Sequence, residues 1–76
     1  MNKVSQVMQE VRVSLKALVN NYSLYTAFTD YLNERISVEQ SKLETSSTME
    51  DVFRHQGSIK ALRRLLKLRE EINGSE

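Results

Sequence analysis

Apolar residues along this chain recur every three or four positions, which is the spacing of one face of an α-helix. Over about residues 3–20 the apolar positions are Val4, Val7, Met8, Val11, Leu15, Leu18 and Val19. Over about residues 23–44 they are Leu24, Phe28, Tyr31, Leu32, Ile36 and Leu43. Over about residues 48–73 they are Met49, Val52, Phe53, Ile59, Ala61, Leu62, Leu65, Leu66, Leu68 and Ile72. The pattern therefore predicts three helices.

Short polar segments separate these three predicted helices. The pair Asn20-Asn21 interrupts the first pattern, and Ser23 is a residue type suited to cap the second helix. Residues 45–48 are the clearest loop. Residues 47–50 match the capping box Ser/Thr-x-x-Glu, so Ser47 is predicted to begin the third helix. A loop this short makes the second and third helices antiparallel neighbours.

Gly57 stands inside the third predicted helix, where a glycine costs about 1 kcal/mol relative to alanine. The apolar face also moves around the helix near this residue. Gly57 therefore marks a kink or lets another helix approach closely. A helix-turn-helix with helices 49–56 and 59–72 is a further alternative. Gly74 is the expected C-cap.

The predicted fold is all-α, with one small domain over residues 1–76. An antiparallel hairpin (about 23–44 and 48–73) carries an added N-terminal amphipathic helix (about 3–20). The apolar arc after Gly57 covers about half of the helix circumference, more than one neighbouring helix would bury. A chain of 76 residues without cysteine has no disulfide to reinforce a small core, which favours an oligomeric bundle.

Two groups of residues are candidates for contact with another chain. The first is on the third predicted helix and comprises Phe53, Gln56, Gly57, Leu62, Leu65, Leu66 and Leu68. The second is Tyr22 and Tyr25, which are predicted to be exposed, since tyrosine is enriched at interfaces. Phe28 and Tyr31 fit the inward stripe of the second helix and are predicted to lie in the core.

The net charge of +1 hides a local excess of positive charge. Lys60, Arg63, Arg64 and Lys67 recur at helical spacing and form one basic stripe. Such a stripe can neutralise phosphates along a nucleic acid. It is equally what a solvated helix face looks like, paired loosely with the acidic residues of the second helix.

Catalytic and metal-binding constellations are not evident. His55 is the single histidine, and Asp51 one turn earlier does not make a metal site with it. Asp30 and Glu34 are interpreted as solvated carboxylates, balanced by Arg35 or Lys42. We therefore expect no enzyme activity, no metal and no cofactor.

Residues 27–72 resemble small helical-hairpin proteins of tailed bacteriophages, which are often encoded near portal, capsid and packaging genes. The residues that carry this resemblance are Ala27-Phe28, Tyr31-Leu32, Arg35-Ile36, Leu43, Val52, Arg54, Gln56-Gly57, Ile59 and Leu62-Arg63-Arg64-Leu65-Leu66-x-Leu68. The resemblance implies a virion or host-cytoplasm setting. It also implies that Gln56-Gly57 is a packing or interaction feature.

The functional expectation is a non-enzymatic assembly protein, a phage virion component or assembly factor that acts through apolar helix faces. Its expected partners are copies of itself or phage structural proteins, with no membrane. One alternative is a nucleic-acid-binding regulator that uses the basic stripe. Another is a small phage inhibitor of a host protein.

Overall fold

The computed structural model describes residues 3–74, with side chains from Val7 onward. These residues form four α-helices: α1 (Lys3–Val19), α2 (Tyr22–Glu44), α3 (Met49–Leu65) and α4 (Leu68–Gly74). No strand occurs among them, which confirms the all-α fold. Helices α2 and α3 form the antiparallel hairpin, and α1 packs on α2 and α4. The third predicted helix is thus two helices separated by a short turn.

Both helices of the hairpin are capped by a residue near the predicted one, two residues earlier for α2 and one residue later for α3. Asn21, rather than Ser23, caps α2, and its side-chain oxygen accepts a hydrogen bond from the Leu24 amide at 2.9 Å. Thr48, rather than Ser47, caps α3, and its hydroxyl oxygen accepts from the Asp51 amide at 3.1 Å. Both caps have extended backbone, the geometry that aims a short side chain at the free amides of the first turn.

The hairpin is closed by aliphatic side chains along its inner faces. Leu32 and Ile36 of α2 and Ile59 of α3 are buried. Tyr31, predicted to lie in this core, is 59% exposed instead. The inward stripe of α2 passes through Tyr25, Leu32 and Ile36, and Tyr31 points about 120° away from it at 100° per residue.

A second cluster joins three helices at the other end of the molecule. Val19 of α1, Tyr25 of α2 and Ile72 of α4 are buried together, with partly buried apolar side chains packed around them. Those surrounding side chains are Leu15, Phe28 and Leu68. We call Val19, Tyr25 and Ile72 the junction cluster. Because Tyr25 is buried in it, the prediction of an exposed Tyr25 is wrong.

The turn between α3 and α4 is held by the hydroxyl of Tyr25. This hydroxyl donates to the Leu66 carbonyl at 3.2 Å and accepts from the Arg69 amide at 3.0 Å. A side chain that takes over backbone hydrogen-bonding groups in this way interrupts a helix. The chain therefore turns at residues 66–67, while α3 runs unbroken through Gly57. Both the kink at Gly57 and the helix-turn-helix are wrong.

Arg69 fixes α4 against the end of α1. Its Nε donates to the Val19 carbonyl at 2.9 Å, one of the carbonyls left free where α1 ends. Its guanidinium lies 4.5 Å from the centre of the Tyr25 ring, within cation–π range. The side-chain amides of Asn20 and Asn73 exchange two hydrogen bonds, at 3.3 and 2.9 Å. Polar contacts at the edge of the junction cluster thus join α4 to the end of α1.

The molecule is flat and extended. Its principal extents are 49 × 32 × 16 Å, so its longest axis is about three times its shortest. The radius of gyration is 16.0 Å. A compact domain of this length has a radius of about 11 Å. Much of the helix surface therefore faces solvent, and Val19 is the one large side chain less than 2% exposed among the described residues.

Candidate interaction surfaces

The N-terminal half of α1 leaves its apolar face uncovered. Val7, Met8 and Val11 are 53%, 54% and 43% exposed. They continue the same stripe that packs on the junction cluster through Leu15. Helix α4, which covers the C-terminal half of α1, has only seven residues and cannot extend over the whole stripe. The C-terminal half of this apolar stripe is therefore packed within the chain, and the described N-terminal part is exposed to solvent.

The outer face of α3 combines positive charge with apolar side chains. Phe53, Gly57, Lys60 and Arg64 are exposed and fall within about 60° of one another, roughly opposite the buried Ile59. We call these four residues the basic edge. Arg63 and Lys67 flank it and are exposed as well.

The cations of the basic stripe form no ion pair with a carboxylate of the described residues. Among residues 7–74 the ion pairs involve Arg35, Lys42, Arg54 and His55, and none involves a residue of the stripe. The expectation that the stripe pairs with acidic residues of the second helix is therefore wrong. Lys60, Arg63, Arg64 and Lys67 are all exposed.

The outer face of α2 has the opposite charge. Asp30, Tyr31, Glu34 and Val38 are exposed and fall within an arc of about 100°, facing away from α3. We call these four residues the acidic edge. Neither carboxylate of this edge takes part in an ion pair among the described residues. The predicted balance by Arg35 or Lys42 is wrong, since both cations turn to Glu39.

Glu39 is the one buried charged residue among those described, with 6% of its surface exposed. Its Oε2 lies 2.7 Å from His55 Nδ1 across the hairpin. Its Oε1 lies 3.3 Å from a guanidinium nitrogen of Arg35 and 3.9 Å from Lys42 Nζ. The hydrogen bond to His55 lowers the pKa of Glu39, burial opposes this, and the charges of Lys42, His55 and Arg35 lower it further.

The contact of Glu39 with His55 is a polar link between α2 and α3. No buried side-chain nitrogen or oxygen among the described residues lacks a hydrogen-bond partner. Nor do any three His, Cys, Asp or Glu side chains in this part of the chain lie together as a metal site would need. Asp51, the sequence neighbour considered for His55, pairs with Arg54 at 3.4 Å instead.

Sequence reasoning missed Glu39, although a signal was present. Glu39 stands three residues after Ile36 and four before Leu43, so it lies on the inward stripe of α2. A carboxylate at such a position needs a partner on the facing helix. His55, the single histidine of the chain, could have been proposed as this partner.

The remaining predicted contact residues are divided between the interior and the surface. Tyr22 is 80% exposed, and Leu65 is also exposed. Leu62, Leu66 and Leu68 are half-buried. Gln56 borders a shallow groove between α2 and α3, whose lining also includes Gln40, Leu43, Ile59, Lys60 and Arg63. The structure therefore gathers part of the predicted set, Phe53, Gly57 and the basic stripe, on one outer surface.

Comparisons of this chain with protein-family models, with curated protein sequences and with solved structures found no match. Among the described helices, none is both long and apolar enough to cross a membrane.

Proposed function

We propose that this chain is a non-enzymatic assembly protein that associates with copies of itself through its exposed helix faces. The observation that carries the proposal is the excess of surface. The accessible surface is 5972 Å². A compact monomer of this mass exposes about 4,800 Å². The excess, roughly 1,200 Å², exceeds the ~800 Å² that one partner buries in an interface of standard size.

The character of this surface supports the same proposal. Large apolar side chains are exposed on α1 (Val7, Met8, Val11), on α2 (Tyr31) and on α3 (Phe53). Apolar side chains that continue a packed stripe, as those of α1 do, favour a protein interaction site over scattered surface exposure. Association of copies would bury them without any change in the fold.

The resemblance of residues 27–72 to helical-hairpin proteins of tailed bacteriophages supplies the proposed setting. In that setting the chain serves as a virion component or assembly factor, and phage structural proteins are further partners. This part of the proposal rests on the resemblance alone.

The first experiment is the mass of the purified protein in solution, measured by light scattering and sedimentation over a hundredfold range of concentration. We expect a mass that rises with concentration above the 8.8 kDa of one chain. A mass of 8.8 kDa throughout the range would overturn self-association. Circular dichroism of the same samples confirms that the helices are formed.

Nucleic-acid binding by the basic stripe is the second candidate function. Its support is the exposure of Lys60, Arg63, Arg64 and Lys67, none of which pairs with a carboxylate among the residues that the structure describes. It predicts binding to a short DNA duplex that weakens steeply with salt and drops in Arg63→Ala/Arg64→Ala. The control variant is Arg54→Ala, an exposed cation of the same helix that pairs with Asp51. Equal binding by the two variants would contradict this function.

A further inference from the structure

Neither backbone conformation nor packing among the described residues requires a glycine at position 57. It lies in the middle of α3 with helical backbone, and no glycine of the described chain has a positive φ. A Cβ built on it would meet nothing within 4 Å. Glycine destabilises a helix interior relative to alanine, so this position carries a cost that no intrachain contact explains. Because glycine has no side chain, an exposed glycine on a helix lets another helix approach closely at that position.

Like charges on the two outer edges are also unfavourable within the chain. Lys60 and Arg64 on the basic edge are four residues apart, and so are Asp30 and Glu34 on the acidic edge. Equal charges at this spacing repel each other on a helix. Neither pair is relieved by an ion pair with another described residue.

The two edges complement each other but cannot meet inside one molecule. One faces outward from α3 and the other from α2, on opposite sides of the hairpin. Each combines two like charges with exposed apolar side chains, Phe53 on the basic edge and Tyr31 and Val38 on the acidic edge.

We propose that copies of this chain associate head to tail, with the basic edge of one molecule on the acidic edge of the next. The proposal rests on the self-association proposed above and names the surfaces that carry it. A head-to-tail contact uses two different surfaces, so in an open assembly only the two terminal molecules each keep one edge free. Such contacts produce rings when the rotation between copies closes, and filaments when it does not.

The two edges match if copies adopt the same antiparallel register as the hairpin. Within one chain, α2 and α3 run antiparallel with Glu39 opposite His55. Repeating this register between copies places Lys60 opposite Glu34 and Gly57 opposite Val38. Arg64 then lies beside Asp30 and the ring of Tyr31, where a cation is favoured. Over residues 57–64, about two helical turns of the basic edge, each charge meets an opposite charge and Gly57 meets an apolar side chain. Phe53 then lies opposite Ser41, outside the matched segment.

Nucleic acid is the competing occupant of the basic edge. Phosphates would satisfy Lys60 and Arg64, but they would leave Asp30, Glu34 and Tyr31 of the acidic edge without a partner. A second copy satisfies both edges at once, and for this reason we favour it.

The test uses two charge-reversed variants of the full chain, Lys60→Glu/Arg64→Glu and Asp30→Lys/Glu34→Lys. Each variant presents two edges of the same sign. We expect each alone to have the mass of one chain, under conditions in which the unchanged protein associates. Mixed one to one, the two variants again present opposite edges, and the mass of the assembly should return. In 1 M salt the restored mass should fall, because screening weakens the contacts.

Glu10→Lys/Glu70→Lys is the matched control. It changes the net charge as much as Asp30→Lys/Glu34→Lys does, but at exposed residues of α1 and α4. We expect it to associate like the unchanged protein. Circular dichroism must show the same helix content for all three variants, because every substituted side chain is exposed.

Other outcomes separate this inference from the proposed function. If the charge-reversed variants keep the mass of the unchanged protein, association uses other surfaces, and the head-to-tail contact is wrong while self-association stands. If the variants dissociate but their mixture does not recover, the pairing of the two edges is wrong. If the unchanged protein is monomeric, both proposals fail. If Lys60→Glu/Arg64→Glu loses only DNA binding, the basic edge serves nucleic acid.

Discussion

The two ends of this molecule are held together by different chemistry. At the junction cluster, polar side chains bind backbone groups: the Tyr25 hydroxyl bridges Leu66 and Arg69, and Arg69 binds the Val19 carbonyl. In the hairpin, aliphatic packing is joined by one contact between ionisable side chains, Glu39 and His55. The first arrangement depends on the positions of hydrogen-bonding groups. The second depends on the ionised carboxylate of Glu39. The two ends should therefore respond to different perturbations.

The largest effect is expected at the junction cluster. Tyr25→Ala removes a buried ring that touches Phe28, with ring centres 6.0 Å apart, and also removes the hydroxyl between α3 and α4. Truncation of a buried aromatic side chain costs about 3–5 kcal/mol. We expect the free energy of unfolding, measured by urea denaturation of the dilute, monomeric protein, to fall by this amount. For a chain of this size such a loss approaches complete unfolding.

Tyr31→Ala is the matched control, since it removes the same side chain from an exposed position of the same helix. Measured on dilute, monomeric protein, where the proposed contact of Tyr31 with a second copy does not contribute, its unfolding free energy should change by less than about 0.5 kcal/mol. If the two variants lost equal unfolding free energy, the burial of Tyr25 in the junction cluster would not contribute to stability. Tyr25→Phe separates ring from hydroxyl, with an intermediate loss of about 1–3 kcal/mol from two backbone groups left unpaired.

The contrast between Tyr25 and Tyr31 also shows where sequence reasoning succeeds and where it stops. Apolar spacing located α1, α2 and the loop before α3, because these features depend on neighbours within one helical turn. It did not decide which tyrosine of α2 is buried. It also did not locate the turn at residues 66–67, which depends on a hydroxyl 41 residues away along the chain. Glu39 was missed because its partner lies on the facing helix.

A smaller effect, of opposite sign, is expected in the hairpin. Gly57→Ala adds a methyl group that meets nothing within 4 Å, so the gain in helix propensity is not offset by a clash. The unfolding free energy of the dilute, monomeric protein should rise by about 0.8–1 kcal/mol. Ala61→Gly, the reverse change at an exposed position of the same helix, should lower it by a similar amount. A loss of stability in Gly57→Ala would show that the glycine is needed within its own chain.

The smallest effect, and the one that separates the two ends by chemistry, is the response of the hairpin to acid. The folded-state pKa of Glu39 is lowered from 4.5, first by the hydrogen bond to His55 and then by the charges around it. The unfolded chain therefore binds a proton more readily than the folded chain does. The stabilisation from this carboxylate is complete above about pH 4.5, and it is lost as the pH falls through the folded-state value.

Glu39→Gln tests this response, because it keeps the shape of the side chain and removes its charge. Urea unfolding of the dilute, monomeric protein at a series of pH values should show the unchanged protein more stable than Glu39→Gln at pH 7, with a difference that shrinks as the solution is made more acidic. Glu34→Gln, an exposed carboxylate of the same helix, should show no such convergence. A constant difference between the unchanged protein and Glu39→Gln would mean that the contact of Glu39 with His55 depends on the positions of its atoms and not on the charge of Glu39, as at the junction cluster. The contrast between the two ends would then disappear, because neither would depend on protonation.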